Sequence, residues 1–189
     1  MDHLERVAVT SSDELRQWLI AHHAQPESVW LVTFKKHAGE RYVSREAVLD
    51  ELLCFGWIDG IRRKLDADRT MQLIAPRQAQ HWAKTYKDRA ARLIDTGRME
   101  PPGFAAIEAS KASGLWTFLD DVDALMKPED LQDALANHPG APGHFDAFPP
   151  SSQRFVLRWI KLAKTPATRA RRIERIATLA ARNERLPGS

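Results

Sequence analysis

The segment 53–66, LCFGWIDGIRRKLD, constrains this chain more than any other. It follows a helical pattern, REAVLDELLCF, and Gly56 stands where a left-handed C′ residue would close that helix. An aromatic residue, a carboxylate and a second glycine come next, then a basic triplet, Arg62-Arg63-Lys64. The chain must therefore pass from helix to extended structure within a few residues. Apolar packing requires neither Asp59, nor Gly60, nor the triplet, so these residues mark a candidate site without naming a reaction.

The flanking segments extend this α/β beginning. Ser11 and Glu14 have capping-box spacing, which predicts a helix over 12–24 with Leu15, Trp18, Leu19 and His22 on its inner face. SVWLVTFKK, 28–36, reads as a strand. Val29, Leu31 and Thr33 alternate with Trp30, Val32 and Phe34, so both faces are apolar and the strand is central. A turn over 37–40 leads to a short return strand at 41–43. Two further strands, 61–65 and 70–75, flank Asp66-Ala67-Asp68-Arg69. The expected product is a small antiparallel sheet of three to five strands.

Beyond residue 80 the periodicity is helical. The span 81–96 carries Trp82, Tyr86, Ala90, Leu93 and Ile94 on one stripe, and Lys84, Asp88 and Arg92 as a charge ladder on another. Pro101-Pro102 opens a helix to 113, and Pro128 starts another. HPGAPGHFDAFPP, 138–150, reads as a Pro/Gly-rich connector. Helices over 151–164 and 166–185 close the chain. The fold class is α+β, with a small antiparallel sheet in the N-terminal half packed with helices and a mainly helical C-terminal half. We expect a single domain over 1–189. Its mixed α/β part, 1–100, and its helical part, 101–185, are joined through the 138–150 connector.

Composition narrows the functional classes. The one cysteine, Cys54, excludes an intramolecular disulfide and a Cys-rich zinc site, and its helical, apolar context reads as a buried thiol. The opening MDHLERVAVT lacks the pattern of a signal peptide, and no apolar run approaches the ~20 residues of a membrane helix, so a cytoplasmic location without membrane insertion is expected. Net charge is only +3 but uneven. Residues 101–150 hold two lysines against eight carboxylates, whereas 151–189 hold ten basic residues against Glu174 and Glu184. That basic tail could meet an external anion or the acidic segment of its own chain.

Motifs for common chemistries are missing. Seven histidines invite a metal, but no HExxH occurs. His138, His144 and Asp146 form no spacing that enforces a site. GxSxG, GxxxxGK[ST] and GxGxxG are absent too. No metal and no cofactor is expected. Asp59 either bonds its own turn or serves as a general base or an arginine anchor. Arg62 and Lys64 share one strand face and Arg63 the other, with Asp59 the nearest partner for a covered guanidinium.

The last two helices hold the other constellation. Phe155, Val156, Trp159, Ile160 and Ala163 form the expected apolar stripe of the first, with Arg154, Arg158 and Lys161 opposite. On the second, Ala170, Ile173, Ile176, Ala177 and Ala180 oppose Arg171, Arg175 and Arg182. Arg169 falls inside the apolar stripe, so it either pairs with a carboxylate or lines an anion pocket. The two basic faces offer a nucleic-acid surface as a less favoured reading, because aromatic interleaving is lacking.

WLVTFKK, LCFGWIDG, Pro76-Arg77, the WAK at 82–84, the GRM at 97–99 and AKTPATRARRIERI at 163–176 occur in an order that resembles the YdeI/OmpD-associated, or bacteriocin-protection, family. The resemblance spans roughly residues 10–185. PRQAQHWAKTY departs from it in spacing and lacks a serine and an asparagine found in many members. The resemblance implies a small bacterial cytoplasmic protein linked to stress or bacteriocin tolerance, and it supplies no catalytic residues. It directs attention to Trp57, Asp59, Arg62, Arg77, Lys84, Arg169 and Arg172, whose side chains we expect to converge on one Arg-lined cleft. The leading expectation is a non-catalytic protein that binds an anionic small molecule or a protein partner. An enzyme using Asp59 as acid/base is the alternative.

Overall fold

The computed structural model describes residues 3–188. The chain divides into two compact units, one ending at Thr117 and the other beginning at Phe118.

The first unit is built on a four-stranded sheet. Strand β1 (Arg6–Ala8) leads to helix α1 (Ser12–His22), and β2 (Val29–Phe34) follows. A 3-10 turn over Lys36–Arg41 precedes α2 (Arg45–Cys54), β3 (Trp57–Lys64) and β4 (Arg69–Pro76). The strand order is β1-β2-β4-β3. β2 is central, as its two apolar faces predict, and Val29 through Thr33 are all buried. Two features correct the expected sheet. β1 pairs with β2 in parallel, so the sheet is mixed. The expected return strand at 41–43 is reduced to a single bridge between Phe34 and Tyr42. The architecture is α+β.

Local signals place the helices. The Ser11 hydroxyl accepts the Glu14 amide at 3.1 Å, while the Glu14 carboxylate reaches back to the Thr10 amide and hydroxyl. Leu15 and Leu19 are buried, but His22 is exposed and stacked on Trp18, contrary to its expected inward placement. Ser44 caps α2 by accepting the Ala47 amide. Gly56 has φ +70°, the left-handed closure expected of it. A Cβ there would lie 2.8 Å from the Pro102 carbonyl oxygen of α4 (Pro101–Ala112). Helix α3 (Lys84–Asp95) buries Ala90 and Leu93, leaving Ile94 exposed. The core gathers Leu15, Leu19, Leu31, Leu52, Trp57, Ile74, Trp82 and Leu93 between sheet and helices.

The second unit is helical: α5 (Asp120–Asp123), α6 (Glu129–Ala136), α7 (Ala141–Ala147), α8 (Pro150–Lys161) and α9 (Pro166–Ala181). The segment 138–150 is therefore no plain connector. Gly140 turns with φ +79° and Pro142 sits in the first turn of α7, where its missing N–H is no loss. Phe145 is fully buried. On α8 the buried set is Ser152, Gln153, Val156, Leu157 and Ile160. Phe155, expected in the core, is 44% exposed. On α9 Ile173, Ile176, Ala177 and Ala180 are buried, whereas Ala170 is exposed. Among the described residues no helix is long and apolar enough to cross a membrane.

Candidate functional site

Asp59 lies in β3, immediately before an irregularity in the pairing with β4 that falls between Asp59 and Arg62. Bulges of this kind re-aim side chains. The Asp59 side chain is only 9% exposed. It does not bond its own turn. Its carboxylate accepts the Tyr86 hydroxyl from α3 and the Gln72 amide from β4 at 3.0 Å. An Arg45 guanidinium nitrogen at the start of α2 stands 3.8 Å away. Four elements thus supply one cluster. Tyr86, which the pattern assigned to a core stripe, and Gln72 and Arg45, which carried no signal in the sequence, are the residues the reading missed.

Arg77 stands beside this cluster, just past β4. Its guanidinium carbon lies 4.0 Å from the centre of the Trp82 ring and 5.4 Å from that of Tyr86. One nitrogen, Nη1, reaches the Gln80 carbonyl at 3.4 Å, and the buried Nε has no hydrogen-bond partner. Among the described residues no carboxylate lies within ion-pair distance of it. Burial pushes the Arg77 guanidinium down to about 10, against the charge attraction of Tyr86 and Asp59. It remains a cation at neutral pH. Burial and the Asp59 hydrogen bond push the Tyr86 hydroxyl up to about 12, so Tyr86 is a donor rather than a nucleophile. The cluster offers a nearly buried carboxylate, a phenol held by it and a cation over an indole ring.

The other expected site residues are distributed differently. Trp57 is 1% exposed and donates its indole N–H to the His23 carbonyl at 3.1 Å, so its place is in the core. Arg62 does not pair with Asp59; it is exposed, with Nη2 3.4 Å from the Thr33 hydroxyl. Its neighbour Arg63 lies over the Trp30 ring on the opposite face. Lys84 bonds Asp88 at 2.8 Å, the first rung of the expected ladder, but Arg92 turns to Asp50 at 2.6 Å.

Arg169 and Arg172 belong to the second unit. Arg169 holds Asp130 through two bonds, 2.6 and 2.9 Å, the pairing that was one of its two alternatives. It also lines a cavity of about 140 Å³ with Asp121, Met126, Leu157 and Lys161, where Lys161 in turn holds Asp121. Arg172 lies over Trp159 and donates to its carbonyl. Of the residues expected to share a cleft, the structure brings together Asp59 and Arg77.

A second polar group lies in the first unit. Asp50 and Glu51 are buried on α2, a helix whose residues from Val48 to Cys54 are all buried. Glu51 holds Arg16 and Arg98, and Asp50 holds Arg89 and Arg92. Glu46 and Glu100 complete the group on Arg89 and Arg16. Burial raises the Asp50 carboxyl, but the Arg92 and Arg89 contacts outweigh it and hold the group below its usual range. Cys54, one turn on, is buried, and burial with the Glu51 charge pushes its thiol up, as expected of an inert residue.

The histidines considered for metal are engaged elsewhere. His138 meets Glu174 at 3.2 Å, and His144 meets the Ala180 carbonyl at 2.8 Å. Among the described residues no group of three or more His, Cys, Asp or Glu side chains is placed to hold a metal ion.

Two families match parts of this chain. The chain belongs to the family described as a domain of unknown function (DUF8412), which matches residues 7–106, more than half its length. Residues 124–183 match the family described as bacteriocin-protection, YdeI or OmpD-associated. The second match confirms the resemblance and narrows it to the second unit, while Asp59, Arg77 and Tyr86 fall within the first. No curated protein and no solved structure matches the chain.

Proposed function

We propose that this protein is a non-catalytic binding protein whose first unit holds a small anion at Arg77. One observation carries the reading: a largely buried guanidinium lies over the Trp82 ring, with Nε unpartnered and no carboxylate in ion-pair contact among the described residues. A buried cation is normally paired, and an anion supplied from outside would complete this one. Asp59 acts at a distance, holding Tyr86 and balancing part of the charge. Bacteriocin protection, suggested by the family description of the second unit, would follow from sequestering such a ligand or a partner's acidic segment.

The test is thermal unfolding of the full chain with inorganic phosphate, acetate, citrate and nucleotides. A ligand at ~100 times its Kd stabilises by about 2.7 kcal/mol. We expect one class of anion to raise Tm in the wild type and not in Arg77→Met. Equal shifts in both proteins, or none from any anion, would remove the proposal.

The surroundings of Asp59 favour a second reading, acid/base catalysis. A nearly buried carboxylate bonded by side chains from other elements is how a general base is positioned. It predicts turnover of an ester or phosphoester that Asp59→Asn abolishes while ligand-induced stabilisation persists. Turnover undiminished in that variant would exclude it.

A further inference from the structure

We infer that the outer surface of α8 and α9 binds single-stranded nucleic acid. Helix α8 has two apolar stripes, and the core takes only the one carrying Val156, Leu157 and Ile160. The other faces outward: Phe155 is 44% exposed, Leu162 is 38% exposed, and Trp159 is half-buried. Phe155 and Trp159 are four residues apart, about 6 Å along the helix axis. The buried stripe of α9 leaves Arg171, Arg175 and Arg182 on its opposite side. The guanidinium carbons of Arg172 and Arg175 lie 4.8 and 5.9 Å from the centre of the Trp159 ring, joining the two helix faces into one surface.

Several arginines on that surface have no ion-pair partner among the described residues. Among the described residues Arg158, Arg171, Arg175 and Arg182 form no ion pair. Four carboxylates of the same unit are engaged elsewhere: Asp121 with Lys161, Asp130 with Arg169, Asp146 with Lys127, and Glu174 with a ring nitrogen of His138. Unpaired arginines suit phosphate oxygens, and an exposed aromatic ring beside them suits an unstacked base. A duplex hides its base faces and would leave Phe155 unused. An acidic peptide would need the cations but not the rings.

The test is fluorescence anisotropy of a labelled oligo-dT of ~12 nucleotides, within the usual span of such sites, with the full chain over a salt series. Binding should weaken linearly in log[salt], by about 0.7 per phosphate contacted. Arg171→Ala with Arg175→Ala should reduce that slope by about 1.4. Phe155→Ala, an exposed position where folding is not at stake, should weaken binding at least ~5-fold with the slope unchanged. Three results would overturn the inference: no binding at low salt, equal affinity for a duplex, or a Phe155→Ala protein as tight as wild type with polyglutamate competing equally.

Discussion

A group of four arginines and a single one, Arg77, are treated in opposite ways in the first unit. Around Asp50 and Glu51, Arg16, Arg89, Arg92 and Arg98 meet carboxylates at hydrogen-bond distance, and two further glutamates complete the set. Each cation there has its counter-charge within the fold. Arg77 has an indole, one long hydrogen bond and an idle Nε, with Asp59 acting only through Tyr86 and through space. The first group fastens α2 to its neighbours. The second leaves an electrostatic demand that the fold does not meet, and this separates a structural arginine from one available to a ligand.

The comparison can be broken first at the fastening group. Glu51 is 3% exposed and holds two guanidinium groups. Glu51→Ala strips both of their partner and should destabilise the first unit by about 2–4 kcal/mol in urea unfolding, toward the range seen for broken buried pairs. A loss below ~1 kcal/mol would mean that solvent already compensates the arginines. Gly103→Ala comes next. A Cβ there would collide with the Cys54 carbonyl and the Met99 sulfur, which join α4 to the end of α2. We expect a cost of about 1–3 kcal/mol, read in the same transition.

Acid sharpens the contrast. The folded Asp50 carboxyl lies below its ordinary value of 3.8, so its contribution is present above that pH and is lost as pH falls through the depressed folded value. Stability of the first unit should fall below about pH 4, and less steeply in Asp50→Asn, by circular dichroism across a pH series. In the second unit Arg169 and Asp130 are 32% and 47% exposed. Arg169→Ala should therefore cost no more than ~1 kcal/mol, the smallest change of the set.

Much of this fold is legible because local chemistry and final structure agree. Ser11, Ser44 and Gly56 announce helix ends within a few residues of themselves, and the alternation of β2 marks a strand buried on both faces. β1 escapes notice because three residues, Arg6-Val7-Ala8, carry no periodicity and become a strand only by pairing with Trp30 through Val32. Residues 141–147 mislead because proline in a first helical turn reads as a breaker when only its ring is considered. The inner stripe of α8 is ambiguous in the sequence because Phe155 and Leu157 are both apolar, and only tertiary packing chooses between them. At the site, Asp59 and Arg77 stand out as polar residues packing does not need. Tyr86, Gln72 and Arg45 do not, because each reaches Asp59 from a different element. The buried carboxylates had a usable signal: REAVLDELLCF has no polar face wide enough for a surface helix, so Asp50 and Glu51 had to find partners.

The measurement that bears most directly on the central contrast is the stability of Arg77→Met beside Glu51→Ala, in the absence of ligand. Met keeps most of the side chain's contact with Trp82 while removing the charge. If Arg77 is a cation the fold does not satisfy, the variant will match or exceed wild-type stability within about 1 kcal/mol, since the lost cation–π contact and the relieved burial offset one another. A loss of ~2 kcal/mol or more, comparable to Glu51→Ala, would contradict the account and place Arg77 among the structural arginines.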